Sequence, residues 1–312
     1  VRQWNIKSDV IEPSEYRVSI VTVSNAAVRI VEDERGVWIE DGQRRDALAK
    51  HPLRLPRFEG HPDAALLRQL HHEVLINIVD GKPVPNLFVY ERPWYRDAAS
   101  MCMVLRETGN LDEVREWTMN LSEPFDRNAH TTESDNIGQA LYMISLVSDQ
   151  SHPLVPRLLE AAKSMTKDGH LTGTTDGVPR PGYQTKWLKF GLRSLGLADT
   201  STVPVDPGNY SALTWWMDKD SAAVGPRFTV SQQLAYPYLL WAEAHFYGDP
   251  PPTPLDRQRY PLSYEAAAKG AYYPRMKVVS PLFERARVSV PHGWAASEMF
   301  LYLLDRGRPA GR

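Results

Sequence analysis

The chain has 312 residues, a formal net charge of -2 at pH 7 and a sequence pI of about 6.5, so it offers no whole-chain attraction to nucleic acid or to an anionic membrane. With 42% hydrophobic and 24% charged residues it has material for one large core or two modest ones. A single cysteine, Cys102, excludes an internal disulfide and a cysteine-rich zinc site, and neither an apolar run of about 18 residues nor a signal-peptide pattern is present, so no membrane insertion is expected.

Residues 1–60 read as a small β-rich N-terminal element. The stretch 17–24 is rich in β-branched residues that partly alternate, as in a half-buried strand, and 28–31 and 37–40 flank a turn ending in Gly36. From His61 the pattern becomes helical, and 61–312 is expected to form an α-helical catalytic domain. Pro62 and Asp63 open a helix whose apolar positions Leu66, Leu67, Leu70, Val74, Leu75 and Ile78 recur at helical spacing up to Asp80-Gly81. Further runs follow at 94–107, 111–121, 133–148, 154–166, 184–195, 210–218, 232–247, 262–269 and 292–305, giving about ten helices. No fixed-period repeat, βαβ alternation or Gly-rich phosphate loop is evident, which argues against a solenoid and against a nucleotide enzyme. Cys102 lies in the apolar run 98–105 and reads as an inert buried thiol.

Three segments carry groups suited to chemistry. Glu91-Arg92-Pro93-Trp94-Tyr95-Arg96-Asp97 gathers two carboxylates, two guanidinium groups and two aromatic rings just before a helix. Directional donor–acceptor pairs suit adjacent sugar hydroxyls, and an aromatic face covers the apolar side of a pyranose. The plainer reading is an Arg–Asp pair capping the helix. The second segment, His130 to Gln139, sets Glu133, Asp135, Asn136 and Gln139 on the first turns of a helix, where a general acid or base could stand; an ordinary capping box is the alternative. In the third, His292 and Trp294 precede Glu298 on an apolar helix, where a desolvated carboxyl would have a raised pKa, or would pair with an arginine between helices. Tyr183, Lys186 and Trp187 open an amphipathic helix and are further candidates for substrate binding.

The Trp94–Asp97 element resembles the six-hairpin (α/α) toroid glycosidases, such as the glucoamylase-like and trehalase-like enzymes, in which an aromatic-x-Arg-Asp element at a helix start lines the sugar pocket. The 292–304 segment looks like the last inner helix of such a toroid. The resemblance implies a mainly α fold, an (α/α) helical toroid of about ten to twelve helices with a small N-terminal β element. It also implies hydroxyl-binding roles for Arg96 and Asp97, with Trp94 or Tyr95 as a stacking platform. The internal acid motif of the glucoamylase-like enzymes is not recognisable.

The reaction expected is hydrolysis of a glycosidic bond in an oligosaccharide or polysaccharide, with no cofactor. One carboxyl protonates the leaving oxygen and another activates water, about 6.5–9.5 Å apart for inversion. Glu133 or Asp135 on one side and Glu298 on the other are the candidates. A polysaccharide lyase or sugar epimerase would use Tyr183, His130 or His292 as base, with Arg96 and Asn136 binding a uronate. A non-catalytic binding scaffold would instead consume its acidic residues in salt bridges. No metal site has positive support: His71-His72-Glu73 lacks zinc-enzyme spacing, and Asp168, Asp176 and Asp206 are only isolated loop carboxylates.

Overall fold

The computed structural model describes residues 4–12, 15–48, 53–87, 90–128, 132–204 and 292–306. The first of these form a five-stranded antiparallel meander: β1 (Ile6–Glu12), β2 (Arg17–Thr22), β3 (Ala27–Asp33), β4 (Gly36–Asp41) and β5 (Arg44–Ala47), in that spatial order. The register places Val18 opposite Ile30 and Ile20 opposite Val28, with Ile30 also opposite Ile39, so one face carries branched aliphatics. Arg17, Ser19 and Arg29 alternate onto the other face, where Arg17 donates to Glu12 at 2.8 Å. Glu32 leaves the apolar face of β3 to accept hydrogen bonds from Arg68 at 2.6 Å and from His72 at 2.7 Å, tying the sheet to the first helix.

Seven α-helices lie among the described residues: α1 (Ala64–Leu75), α2 (Tyr95–Thr108), α3 (Arg115–Met119), α4 (Asp135–Ser145), α5 (Val155–Met165), α6 (Pro181–Ser194) and α7 (Gly293–Arg306). In space α7 lies against α1 and α2, α2 packs on α4, and α4 packs on α5 and α6. Nearly every residue of α2 and α4 is buried, which marks them as the central helices. Met101, Val104 and Leu105 of α2, Ile137, Leu141 and Ile144 of α4, and Phe300 and Leu303 of α7 share one core with Leu67, Leu70 and Val74 of α1.

The α4–α6 contact is made by backbone. A Cβ on Gly138 would fall 2.1 Å from the carbonyl carbon of Trp187, and one on Gly191 would fall 2.4 Å from the carbonyl oxygen of Gly138. No larger residue fits at either crossing point.

The expected (α/α) toroid of ten to twelve helices is corrected by these elements. The described residues form seven helices and a five-stranded sheet, with two further hairpins, β6 (Ile78–Val79) with β7 (Lys82–Pro83) and β8 (Thr166–Lys167) with β9 (His170–Leu171). The six-hairpin description falls with the toroid. Two physical causes are clear. The β-rich start is a full five-stranded sheet, two of whose strands, β1 and β5, lack the alternation that reveals a strand in sequence. The helical reading through Ile78 also fails, since the β-branched Ile78 and Val79 pair across a tight turn at Asp80 and Gly81 (φ 50 and 73). The run 111–121 is a 3-10 turn at Leu111–Glu113 followed by the short α3. The expected helices at 210–218, 232–247 and 262–269 lie outside the described residues.

A local unit recurs. α1–β6–β7–α2 and α5–β8–β9–α6 each run helix, Asp-Gly hairpin, helix, and Asp168 and Gly169 repeat the two positive φ values (51 and 81) that this type of hairpin turn requires. Even the closing bond is the same, Val84 N–H to Asn77 at 2.9 Å and Thr172 N–H to Met165 at 2.9 Å. Two copies set no fixed period, so sequence self-similarity does not reveal them.

Candidate functional site

The site begins at the first turn of α2. Trp94 caps the helix in extended conformation, and Asp126 receives the otherwise unused N–H of Tyr95 at 2.7 Å. Tyr95 is buried and its hydroxyl donates to the Glu123 carbonyl at 2.7 Å, so it fastens the 121–128 loop and is not a stacking platform. Trp94 instead stands edge-on to Tyr90, with ring centres 5.2 Å apart. Glu91 is exposed at the rim.

Arg96 and Asp97, adjacent in sequence, reach in different directions. The Arg96 guanidinium makes two hydrogen bonds to the Asp176 carboxylate, at 3.1 and 2.7 Å, and lies 3.8 Å from Glu133. Asp97 lies 3.7 Å from the ring of His292, which precedes α7. Tyr90 and Trp294 stack edge-on against that same imidazole, at 6.3 and 6.4 Å. The α2 mouth thus joins the mouth of α4 to that of α7, bringing the three sequence segments together at one end of the helices.

Glu133 just precedes α4 and is 3% exposed. Burial pushes its carboxyl up to about 7; Arg96 opposes this, and the neighbouring charge of Asp135 adds to it. Its Oε1 accepts the backbone N–H of Asp176 at 2.6 Å. Asp135 is fully buried, and burial raises its pKa despite Arg96 and the bonds from Thr175 and Gln139, each at 2.8 Å. Asn136 donates to Gln139 and accepts the Asp126 N–H, at 3.0 and 3.1 Å. Asn136 and Gln139, both buried, therefore brace the site from within.

The remaining sequence candidates are more dispersed. Tyr183, Lys186 and Trp187 are each 1% exposed on α6, and the backbone of Trp187 forms the crossing with Gly138, so its indole belongs to the core. Glu298 is buried on α7, with α2 standing between that helix and α4. His130 lies outside the described residues. Among the described residues no three His, Cys, Asp or Glu side chains are grouped to hold a metal ion, and no helix is long and apolar enough to cross a membrane.

Asp176, in sequence only an isolated loop carboxylate, completes the cluster. It sits at the tip of a two-residue turn whose flanks, Thr175 and Val178, exchange backbone bonds of 2.9 and 3.1 Å. Asp176 and Gly177 have φ values of 52 and 72, so the Asp-Gly pair was a legible turn signal. The Asp176 side chain remains 45% exposed, the open edge of an otherwise buried charge cluster. Comparison with known proteins adds no relative: no family model matches the chain, and neither a curated protein nor a solved structure matches it.

Proposed function

We propose that the chain is a carbohydrate-active enzyme that hydrolyses a glycosidic bond, with Glu133 as general acid and Asp176 as its ionised partner. One observation carries the reading. Glu133 is buried, its carboxyl is pushed up to about 7, and it stands across one guanidinium from an exposed carboxylate that pairs with Arg96. A protonated carboxyl beside a charged one is what glycosidic cleavage demands.

In this proposal Glu133 donates its proton to the departing glycosidic oxygen. The two carboxylates bind the same Arg96 nitrogen, at 2.7 and 3.8 Å, which holds those oxygens within about 6.5 Å of each other. That spacing suits attack by Asp176 on the sugar carbon and release of the glycosyl group by a water that Glu133 deprotonates. It replaces the wider pairing of α4 with Glu298 and favours retention of configuration. Asp97, His292 and Trp94 are assigned to sugar hydroxyls and to the apolar ring face.

The test is sugar release from a panel of aryl glycosides and soluble polysaccharides. Glu133→Gln should lower turnover about 100-fold or more while leaving the fold intact. Turnover by the variant equal to that of the wild type refutes the assignment. The scaffold reading draws on one observation of its own, the Arg96–Asp176 pair, which has the form of a structural salt bridge. It predicts no sugar release from any member of the panel and a large stability loss for Asp176→Asn.

A further inference from the structure

Away from the charge cluster, two clefts lie side by side along α3. The first, about 570 Å³, has an apolar floor of Leu53, Leu75 and Ile78 and a rim carrying Asp80, Asp112 and Glu116. The second, about 430 Å³, is bounded by Phe125, Arg92 and Arg127. Both are lined by Trp117 and Asn120, so they adjoin there and can be followed as one groove along α3.

Three properties define what fits. Trp117 is half-buried, its indole anchored against the core yet open to the groove, which makes it a fixed apolar platform. The lining is richer in carboxylates than in cations, which repels a polyanion and supplies acceptors for hydroxyl groups. The second cleft also borders the base of the candidate site, since Tyr95 and Asp126, the pair that fixes the first turn of α2, line it.

We infer that this groove binds an uncharged glycan chain, with Trp117 stacked on a sugar ring at the junction of the clefts, and feeds that chain toward the α2 mouth. The inference rests on the carbohydrate reading above and extends it to polymers. A glycan running over Trp117 engages the protein outside the reacting carboxylates. Its loss therefore weakens polymer binding and leaves the cleavage of small glycosides untouched.

The experiment is affinity electrophoresis of the full chain in native gels containing soluble starch, mixed-linkage β-glucan, galactomannan or polygalacturonate. At least one uncharged polymer should retard the wild type. Trp117→Ala should abolish the retardation and Trp117→Phe should restore part of it. Asn120→Arg, at an exposed position, should block the groove without touching the core. Wild-type mobility unchanged by every uncharged polymer, retardation by polygalacturonate alone, or variants retarded as strongly as the wild type would each overturn the inference. The two readings fail separately: sugar release without retardation removes the groove, whereas retardation without sugar release removes the hydrolase.

Discussion

Replacing Glu133 by glutamine should stabilise the protein, and do so chiefly at high pH. The carboxyl has an ordinary pKa of 4.5 and is raised by burial to about 7 in the fold. The folded state therefore binds an extra proton between those values, so stability falls as pH rises from 4.5 to 7 and stays lowered above. A shift of that size corresponds to about 3 kcal/mol at pH 8, and to less than about 1 kcal/mol at pH 5, where folded Glu133 is still protonated. Glutamine cannot ionise and keeps the Oε1 acceptor that meets the Asp176 N–H. Urea unfolding of both proteins at pH 5 and pH 8 should show the variant gaining about 2.5 kcal/mol on the wild type between the two conditions. An equal difference at both pH values would mean that Glu133 is not held neutral by burial, and the general-acid assignment would lose its physical basis. Stability stored against function in this way is expected at a site that keeps a carboxyl protonated near neutrality.

Gly138→Ala should cost about 3 kcal/mol in urea unfolding, because the added carbon overlaps the Trp187 backbone and α4 must move from α6. Glu32→Ala should also cost about 3 kcal/mol, since it strands the buried Arg68 of α1. Burial opposes the charge on His72, but its bonds to Glu32 and the Arg68 carbonyl outweigh this and raise its pKa above 6.5. That contribution is full below pH 6.5 and is lost as pH rises through the raised value, so His72→Gln should flatten the stability profile in this range. Cys102 should resist a thiol reagent in the native protein and react on unfolding, because burial pushes its pKa up to about 12.

The legible part of the fold was whatever repeats locally. All seven helices among the described residues fall on stretches with helical spacing, and the hairpin of β3 and β4 follows from branched residues around Gly36. What escaped was decided by partners distant in sequence. β1 carries Lys7, Ser8 and Asp9 and is a strand because β2 offers it a ladder; β5 is all exposed and is held by β4. The toroid expectation rested on the resemblance of two short segments, whereas neighbours in space decide an architecture. Arg96 and Glu133 stood out in the sequence because charged residues at the start of apolar helices are uncommon in a core, and the fold places them 3.8 Å apart.

Asp176 shows why the last member of the cluster could not be found that way. Asp80, Asp168 and Asp176 share the same Asp-Gly turn signal, and all three adopt it with nearly equal φ. Asp80 ends at the outer cleft and Asp168 is exposed, whereas Asp176 meets Arg96. The difference lies in what lies beneath the turn. Gly138 and Gly191 bring α6 onto the backbone of α4, and Gly173 passes so close to Ser134 that a Cβ there would sit 2.9 Å from its hydroxyl. Thr174 then bridges to Glu133, and the next two residues reach Asp135 and Arg96. Three glycines without functional groups thus set the position of the exposed carboxylate that meets Arg96. Enlarging Gly173, next to the turn, should displace Asp176 while leaving the α4–α6 crossing at Gly138 and Gly191 in place.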